Sequence, residues 1–157
     1  MGIALSTAGV IVSYAVETEA GTRPTTGYKV INDITSTPEF NVEPNGIDVT
    51  PLSETESKHY VQGLKDYGSA LAFGALLTNE LITTWNKVCS DAATGKRSDF
   101  ATWFQIDHPD LEKSIFISAD PSELGLPAME VDSALTTSLY VTPNGAAIFD
   151  KKVEIAQ

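Results

Sequence analysis

The chain has a single cysteine, Cys89, so no internal disulfide can staple it. At 157 residues it must instead bury a core, and that length suits one domain, 1–157, rather than two. A lone thiol fits a reducing compartment. Basic residues are also scarce: 10 Lys and Arg face 21 Asp and Glu, for a net charge of -11. No Lys/Arg cluster interrupts this excess, which excludes a broad nucleic-acid-binding surface. Only His59 and His108 are present, and neither sits in a zinc-binding spacing. Long hydrophobic runs are missing too. The opening "MGIALSTAGVIVSY" lacks the length of a membrane span and the basic leader and cleavage site of a secretory signal, so no membrane anchor is expected. Met1-Gly2 with Ser6 matches the myristoylation pattern only in part.

What is present reads as a folded chain, with 42% hydrophobic and 20% charged residues. In "GVIVSYAVE", Val10, Val12, Tyr14 and Val16 alternate with Ile11, Ser13, Ala15 and Glu17, the pattern of a strand with one buried face. "GYKVINDI" continues it after the Gly21 to Gly27 turn, in which "TRP" disfavours helix before Pro24. "ALAFGALL", Ala70 to Leu77, is a further strand in which Gly74 marks a bulge or a close neighbour. One helix is expected over 79–94, "NELITTWNKVCSDAAT". Leu81, Ile82, Trp85, Val88 and Cys89 recur at helical spacing as its packing stripe, with Thr84, Lys87, Asp91 and Ala92 opposite. Thr78 or Asn79 can cap its start and Gly95 suits its exit. "DFATWFQI", "KSIFISAD", "MEVDSALTTSLYVT" and "AAIFDKKVEI" complete the strands. The expected fold is mainly β: an antiparallel sandwich or barrel with one flanking helix and a long loop.

Catalytic chemistry finds little support. Asp33, Glu39, Glu43, Asp48, Glu54, Glu56 and His59 are the sharpest local candidates, but acids are abundant enough to pair by chance. Cys89 lies on the apolar stripe with Trp85 and Val88, where a thiol acts as a small hydrophobe. "DHPD", Asp107 to Asp110, reads as a solvated turn. No nucleophile elbow, phosphate-binding Gly-Lys loop or dinucleotide fingerprint is present. The expectation is a non-enzyme with no cofactor and no metal.

The order of parts is more informative. Ile47-Asp48-Val49-Thr50, then Gly63-Leu64-Lys65-Asp66 before a strand, then the amphipathic helix, then Val141-Thr142-Pro143-Asn144-Gly145 before the last strand resemble the major tail tube proteins of long, non-contractile-tailed bacteriophages. The resemblance spans about Gly9 to Val153 and extends to tube proteins of contractile tails and of type VI secretion. It implies sixfold rings that stack into a tail tube for DNA delivery, with self-association as the main contact. Tape measure, tail terminator and distal tail proteins would be further partners. The implied location is the virion tail, and the bacterial host cytoplasm during assembly. Unlike some relatives, the chain ends at Gln157 without room for an immunoglobulin-like decoration domain. A non-polymerising ring, such as a tail terminator or head-tail joining protein, is the alternative.

By that resemblance the segment 31–60 is an arm contacting neighbouring subunits. An irregular loop of this length is unusual in a compact monomer. Phe40, Val42, Ile47, Val49 and Leu52 would gain cover from a neighbour, and Pro38, Pro44 and Pro51 would limit the ordering cost of docking. A loop packed on its own subunit is the competing reading. An acidic channel wall would keep passing double-stranded DNA from adhering. Glu17, Glu19, Glu130, Asp132 and Asp150 are the strand-adjacent candidates to line it.

Overall fold

The protein is described by a computed structural model covering residues 6, 8–41, 44–68 and 70–156. Val42, Glu43 and the Met1-Gly2 start lie outside the described residues. The elements run β1 (Ile11–Val16), β2 (Tyr28–Ile31), β3 (Ile34–Ser36), β4 (Gly46–Asp48), β5 (Tyr60–Gln62), β6 (Leu71–Leu76), α1 (Asn79–Lys96), β7 (Thr102–Asp107), β8 (Lys113–Pro121), β9 (Thr136–Pro143), β10 (Ile148–Lys151) and β11 (Ile155–Ala156). The fold is mainly β, a curled and largely antiparallel sheet with one helix, as the strand periodicities predict.

β8 divides this sheet into two halves. Its first part pairs with β7 on one edge and β10 on the other, while Ala119 to Pro121 pair with β9. β9 carries β6, and β6 carries β3. The main core lies between the halves: Val12, Tyr14, Phe104 and Ile117 come from one, and Phe73, Ala75, Leu139 and Val141 from the other. Leu81, Trp85 and Val88 of α1 join the same cluster.

β1 departs from the one-sided expectation. Ser13, Ala15 and Glu17 are buried on its second face, because the first half of the sheet also encloses a smaller cluster of Ala15, Tyr28 and Phe116. The C-terminal segment closes this second face. β10 runs antiparallel to β8, and β11 runs parallel to β2. Since β2, β1, β7 and β8 alternate in direction, β10 and β11 point the same way, joined only by Lys152 to Glu154. One continuous segment therefore staples β8 to β2. On a flat sheet those strands would lie about 14 Å apart, whereas one intervening strand spans about 10 Å, so the sheet must curl into a roll. Gln105, fully buried, clamps the staple: its side chain accepts from the Val153 N–H (3.1 Å) and donates to the Val153 carbonyl (3.2 Å).

Other boundaries are also redrawn. "GYKVINDI" is two strands, because Asp33 takes a left-handed conformation (φ 66°) and sends the chain from β1 across to β6. Only the second part of "MEVDSALTTSLYVT" is strand; the left-handed Asp132 (φ 61°) lies in the loop before it. "AAIFDKKVEI" splits into β10 and β11. Gly74 is a close-approach position as expected: a Cβ there would collide with Ser36 Oγ, and the β3–β6 register shifts beside it.

The helix begins as predicted at Thr78, whose Oγ1 accepts from the Leu81 N–H (3.1 Å) and donates to Asp33 Oδ2 (2.7 Å), fixing the corner to the helix. Its end differs. Gly95 lies inside the helix, buried, where a Cβ would come 2.5 Å from Val16 Cγ1, and the left-handed residue is Asp99 (φ 60°). Leu81, Trp85 and Val88 are buried, and Cys89 is half-buried against the core. Ile82 is exposed, and Asp91, read as outward, accepts from the Tyr14 hydroxyl at 3.1 Å. The apolar stripe thus passes over Asp91 toward Gly95 and leaves Ile82 at its edge.

Candidate functional site

The segment read as an irregular arm over 31–60 is divided: Ile31 ends β2 and β3 pairs with β6 in the main sheet, whereas the chain beyond them carries a separate hairpin. β4 and β5 form a two-stranded hairpin, with Ile47 opposite Val61 and Asp48 opposite Tyr60, and among the described residues it pairs with no strand of the main sheet. Every residue of both strands is exposed. Ile47 and Val61 share one face, and Val49 follows Ile47 at the same alternation; these three are each about half exposed. Leu52 and Leu64 are almost wholly exposed. An isolated two-stranded hairpin is marginal in water, so its shape depends on local polar ties or on a partner.

Those local ties absorb several residues that looked chemical in the sequence. Asp48 Oδ1 accepts from the Thr50 N–H (2.9 Å), and the Thr50 contacts hold this carboxyl below its usual range. Glu54 Oε1 accepts from the Glu56 and Thr55 N–H groups (2.9 and 3.0 Å). Its Oε2 meets His59 Nε2 at 3.1 Å. The Glu56 N–H, then His59, hold Glu54 low. Thr50 Oγ1 accepts from the His59 N–H at 2.7 Å. His59 and its acids therefore knot a loop end.

Phe40, expected to dock on a neighbour, packs instead against its own subunit's core and lies 6.2 Å from the Tyr67 ring. Its aromatic bulk is satisfied before any assembly, which supports the self-packed reading for that residue alone.

The acids assigned to a channel wall fall into three environments. Glu17 is buried and accepts from Trp103 Nε1 (2.8 Å), the Gly21 N–H (3.1 Å) and the Ala101 N–H (3.2 Å), so its place is in the subunit interior. Sequence alternation had marked it outward because it could not show that the sheet folds over both faces of β1. Asp150 is paired with Arg23 at 2.5 Å, and that guanidinium lies 4.0 Å over the Phe116 ring. Glu19, Glu130 and Asp132 are exposed.

A second unpartnered surface was missed by sequence reading. The loop from Ser122 to Leu135 holds Leu126 and Val131 about 90% exposed, with Met129 also exposed. The signal was present in "LGLPAMEV", of which "LGLP" reads as a connecting turn and "MEV" as the start of the adjacent strand pattern. A groove of about 610 Å³ separates this loop from β6 and β9, lined by Gly74, Leu126, Thr137 and Tyr140 among others.

The remaining chemical candidates are also held structurally. The Cys89 thiol reaches the Ser122 carbonyl at 3.6 Å, and burial, then Glu123, push its pKa up, away from the reactive thiolate. His108 Nδ1 accepts from the Asp110 N–H (3.1 Å), and the His108 carbonyl accepts from Lys152 Nζ (2.6 Å). Among the described residues no group of three or more His, Cys, Asp or Glu could hold a metal, and no helix is long and apolar enough to cross a membrane.

No protein-family model matches the sequence, and no curated protein sequence matches it. Solved structures do. A chain of the anti-feeding prophage (AFP) baseplate, a cryo-EM structure symmetrised sixfold, aligns over 96% of this chain and 98% of its own, with a TM-score of 0.65 and 9% identity. A chain from the tail of an empty GTA particle, computed by helical refinement with C6 symmetry, aligns over 94% and 99%, with a TM-score of 0.60 and 13% identity. At such identities the likeness establishes a shared fold over almost the whole of each chain.

Proposed function

We propose that this chain is a structural subunit of a phage-type tail and, more finely, a tube subunit that closes sixfold rings and stacks them into a conduit for double-stranded DNA. The observation that carries this reading is the β4–β5 hairpin, a solvated two-stranded element with Ile47, Val49 and Val61 on one face and, among the described residues, no further strand paired with it. A free edge with apolar residues favours association. Both structural neighbours belong to particles of sixfold or C6 symmetry, which supports the ring order.

The test removes the hairpin and spares the sheet. The Gly63 N–H donates to the Asn45 carbonyl at 2.6 Å, so a short Gly turn can replace Gly46 to Gln62 without moving either end. The deletion is expected to keep its circular dichroism spectrum and unfolding midpoint while losing rings and tubes in sedimentation velocity and negative-stain microscopy. Full tubes from the deleted protein would rule out the hairpin as the assembly element.

A non-polymerising ring is the second reading, favoured by the baseplate origin of one neighbour. Isolated rings at every salt and protein concentration would support it; long uniform tubes would support the tube. In the tube, exposed Glu19, Glu130 and Asp132 remain the lining candidates. Reversing Glu130 and Asp132 to Lys is expected to give tubes that retain DNA at low salt and release it at high salt. Retention equal to wild type would remove these two acids from the wall.

A further inference from the structure

The first half of the sheet carries a basic patch at odds with the rest of this acidic chain. Lys113 and Lys151 are direct cross-strand partners in the antiparallel β8–β10 pair, and both are exposed. Like charges placed opposite each other repel. Neither ammonium has a carboxylate within 4.0 Å among the described residues; the ion pairs there are Arg23–Asp150, His59–Glu54, Lys96–Asp120 and Lys152–Asp107. Two positions before Lys151, and so on the same face of β10, Phe149 stands 62% exposed. Two unpaired cations and a bare aromatic ring form a surface that the isolated subunit leaves unsatisfied.

The chain also carries the complementary surface. Between Gly46 and Gln62 the hairpin has Asp48, Glu54 and Glu56 against one lysine, Lys58, beside the apolar face of Ile47, Val49 and Val61. Glu56 is exposed and has no ion-pair partner among the described residues. We propose that the hairpin of a second copy docks on the Lys113–Lys151–Phe149 patch, with its apolar face over Phe149 and its tip acids, Glu54 and Glu56, against the two lysines. The two patches differ, so the contact is head-to-tail and can repeat from copy to copy. Opposite charge would steer the encounter and fix its orientation, while the apolar contact supplies attraction that salt does not screen. This inference rests on the hairpin being the assembly element and names the site that receives it.

Charge exchange tests it. Wild type, Lys113→Glu/Lys151→Glu, Glu54→Lys/Glu56→Lys and the fourfold exchange would be compared by sedimentation velocity over a range of concentrations at low salt. Each reversed pair is expected to raise the concentration for half-assembly by about tenfold or more, and the fourfold exchange to restore it. Lys151→Glu alone is a folding control: it turns the like-charge pair with Lys113 into an attractive one, so its unfolding midpoint should hold or rise while assembly weakens. If wild type assembles and the reversed lysines assemble equally well, the receiving site is wrong and the tail-subunit reading stands. Reversed lysines that lose assembly without rescue either by the fourfold exchange or by Glu56→Lys alone, which leaves the Glu54–His59 tie intact, would also overturn the pairing. Unchanged assembly with lost DNA retention would make the patch a nucleic-acid contact instead. Wild type that stays monomeric under all conditions would overturn the tail-subunit reading itself.

Discussion

Trp85 concentrates three kinds of interaction in one side chain. It is 1% exposed, its ring stacks on Phe104 with centroids 6.3 Å apart, and Nε1 donates to the Ser122 carbonyl at 2.8 Å. Trp85→Ala should cost about 3–5 kcal/mol. Trp85→Phe, which keeps most of the packing and loses the hydrogen bond, should cost less. Urea unfolding measures both, and an unchanged midpoint for the alanine variant would contradict the buried assignment. Tyr28 gives a pH signature. It is fully buried, and burial pushes its hydroxyl from 10.0 up to about 12, partly opposed by Arg23. Above pH 10 the unfolded chain releases this proton first, so the native state holds more protons and stability falls as pH rises. The contribution is complete below pH 10 and is lost toward pH 12, at up to about 1.4 kcal/mol per pH unit for this group. Tyr14 is raised by burial and by Asp91 and adds a loss of the same sign. Tyr28→Phe should flatten the alkaline decline of the urea midpoint; an equally steep decline would assign it to other groups.

The helix and its glycine set two local energies against each other. Replacing a helix-interior glycine by alanine ordinarily gains about 1 kcal/mol from backbone propensity. At Gly95 the new methyl would meet Val16 Cγ1 at 2.5 Å, and Val16 is carried by a strand paired with β7. Relief requires a shift of helix or sheet, and overpacking of this kind costs about 1–3 kcal/mol. Gly95→Ala is therefore expected to lower the unfolding midpoint despite its better helix propensity. A raised midpoint would show that the helix end moves aside at little cost.

At the scale of the molecule, the second core depends on chain that arrives last. Deleting 152–157 removes Val153 from the Tyr28–Phe116 cluster, the two hydrogen bonds between Gln105 and Val153, and the contacts of Lys152 with Asp107 (3.0 Å) and the His108 carbonyl. Gln105 would keep only its donation to Ser13 Oγ (3.4 Å); the amide oxygen left unsatisfied costs about 1–3 kcal/mol, and the exposed apolar surface adds to it. The truncated chain should unfold at clearly lower urea and bind a hydrophobic dye before unfolding. A native midpoint without dye binding would mean that the roll closes without its staple.

Local chemistry determined the elements. Alternation in "IVSYAV", a helix start capped by Thr78 or Asn79, the spacing of Leu81, Trp85 and Val88, and the steric meaning of Gly74 were all legible in the sequence, because each depends on residues near one another along the chain or on the absence of a side chain. Of the arm expected over 31–60, Ile31, Ile34 and Phe40 belong to or pack on the core and β3 joins the main sheet, and its hairpin was not legible, since β4 and β5 are short and twelve positions of sequence separate Asp48 from its partner Tyr60. Which face a residue occupies was decided only by tertiary structure. Glu17 looked solvated and is buried, because the sheet rolls over the far side of β1. Phe40 looked free and is half-covered, because its segment returns to its own core. Lys113 and Lys151 lie 38 positions apart and meet only through the register of β8 with β10. Burial and cross-strand pairing belong to contacts between distant segments, and periodicity within a segment carries no information about which segment will cover it.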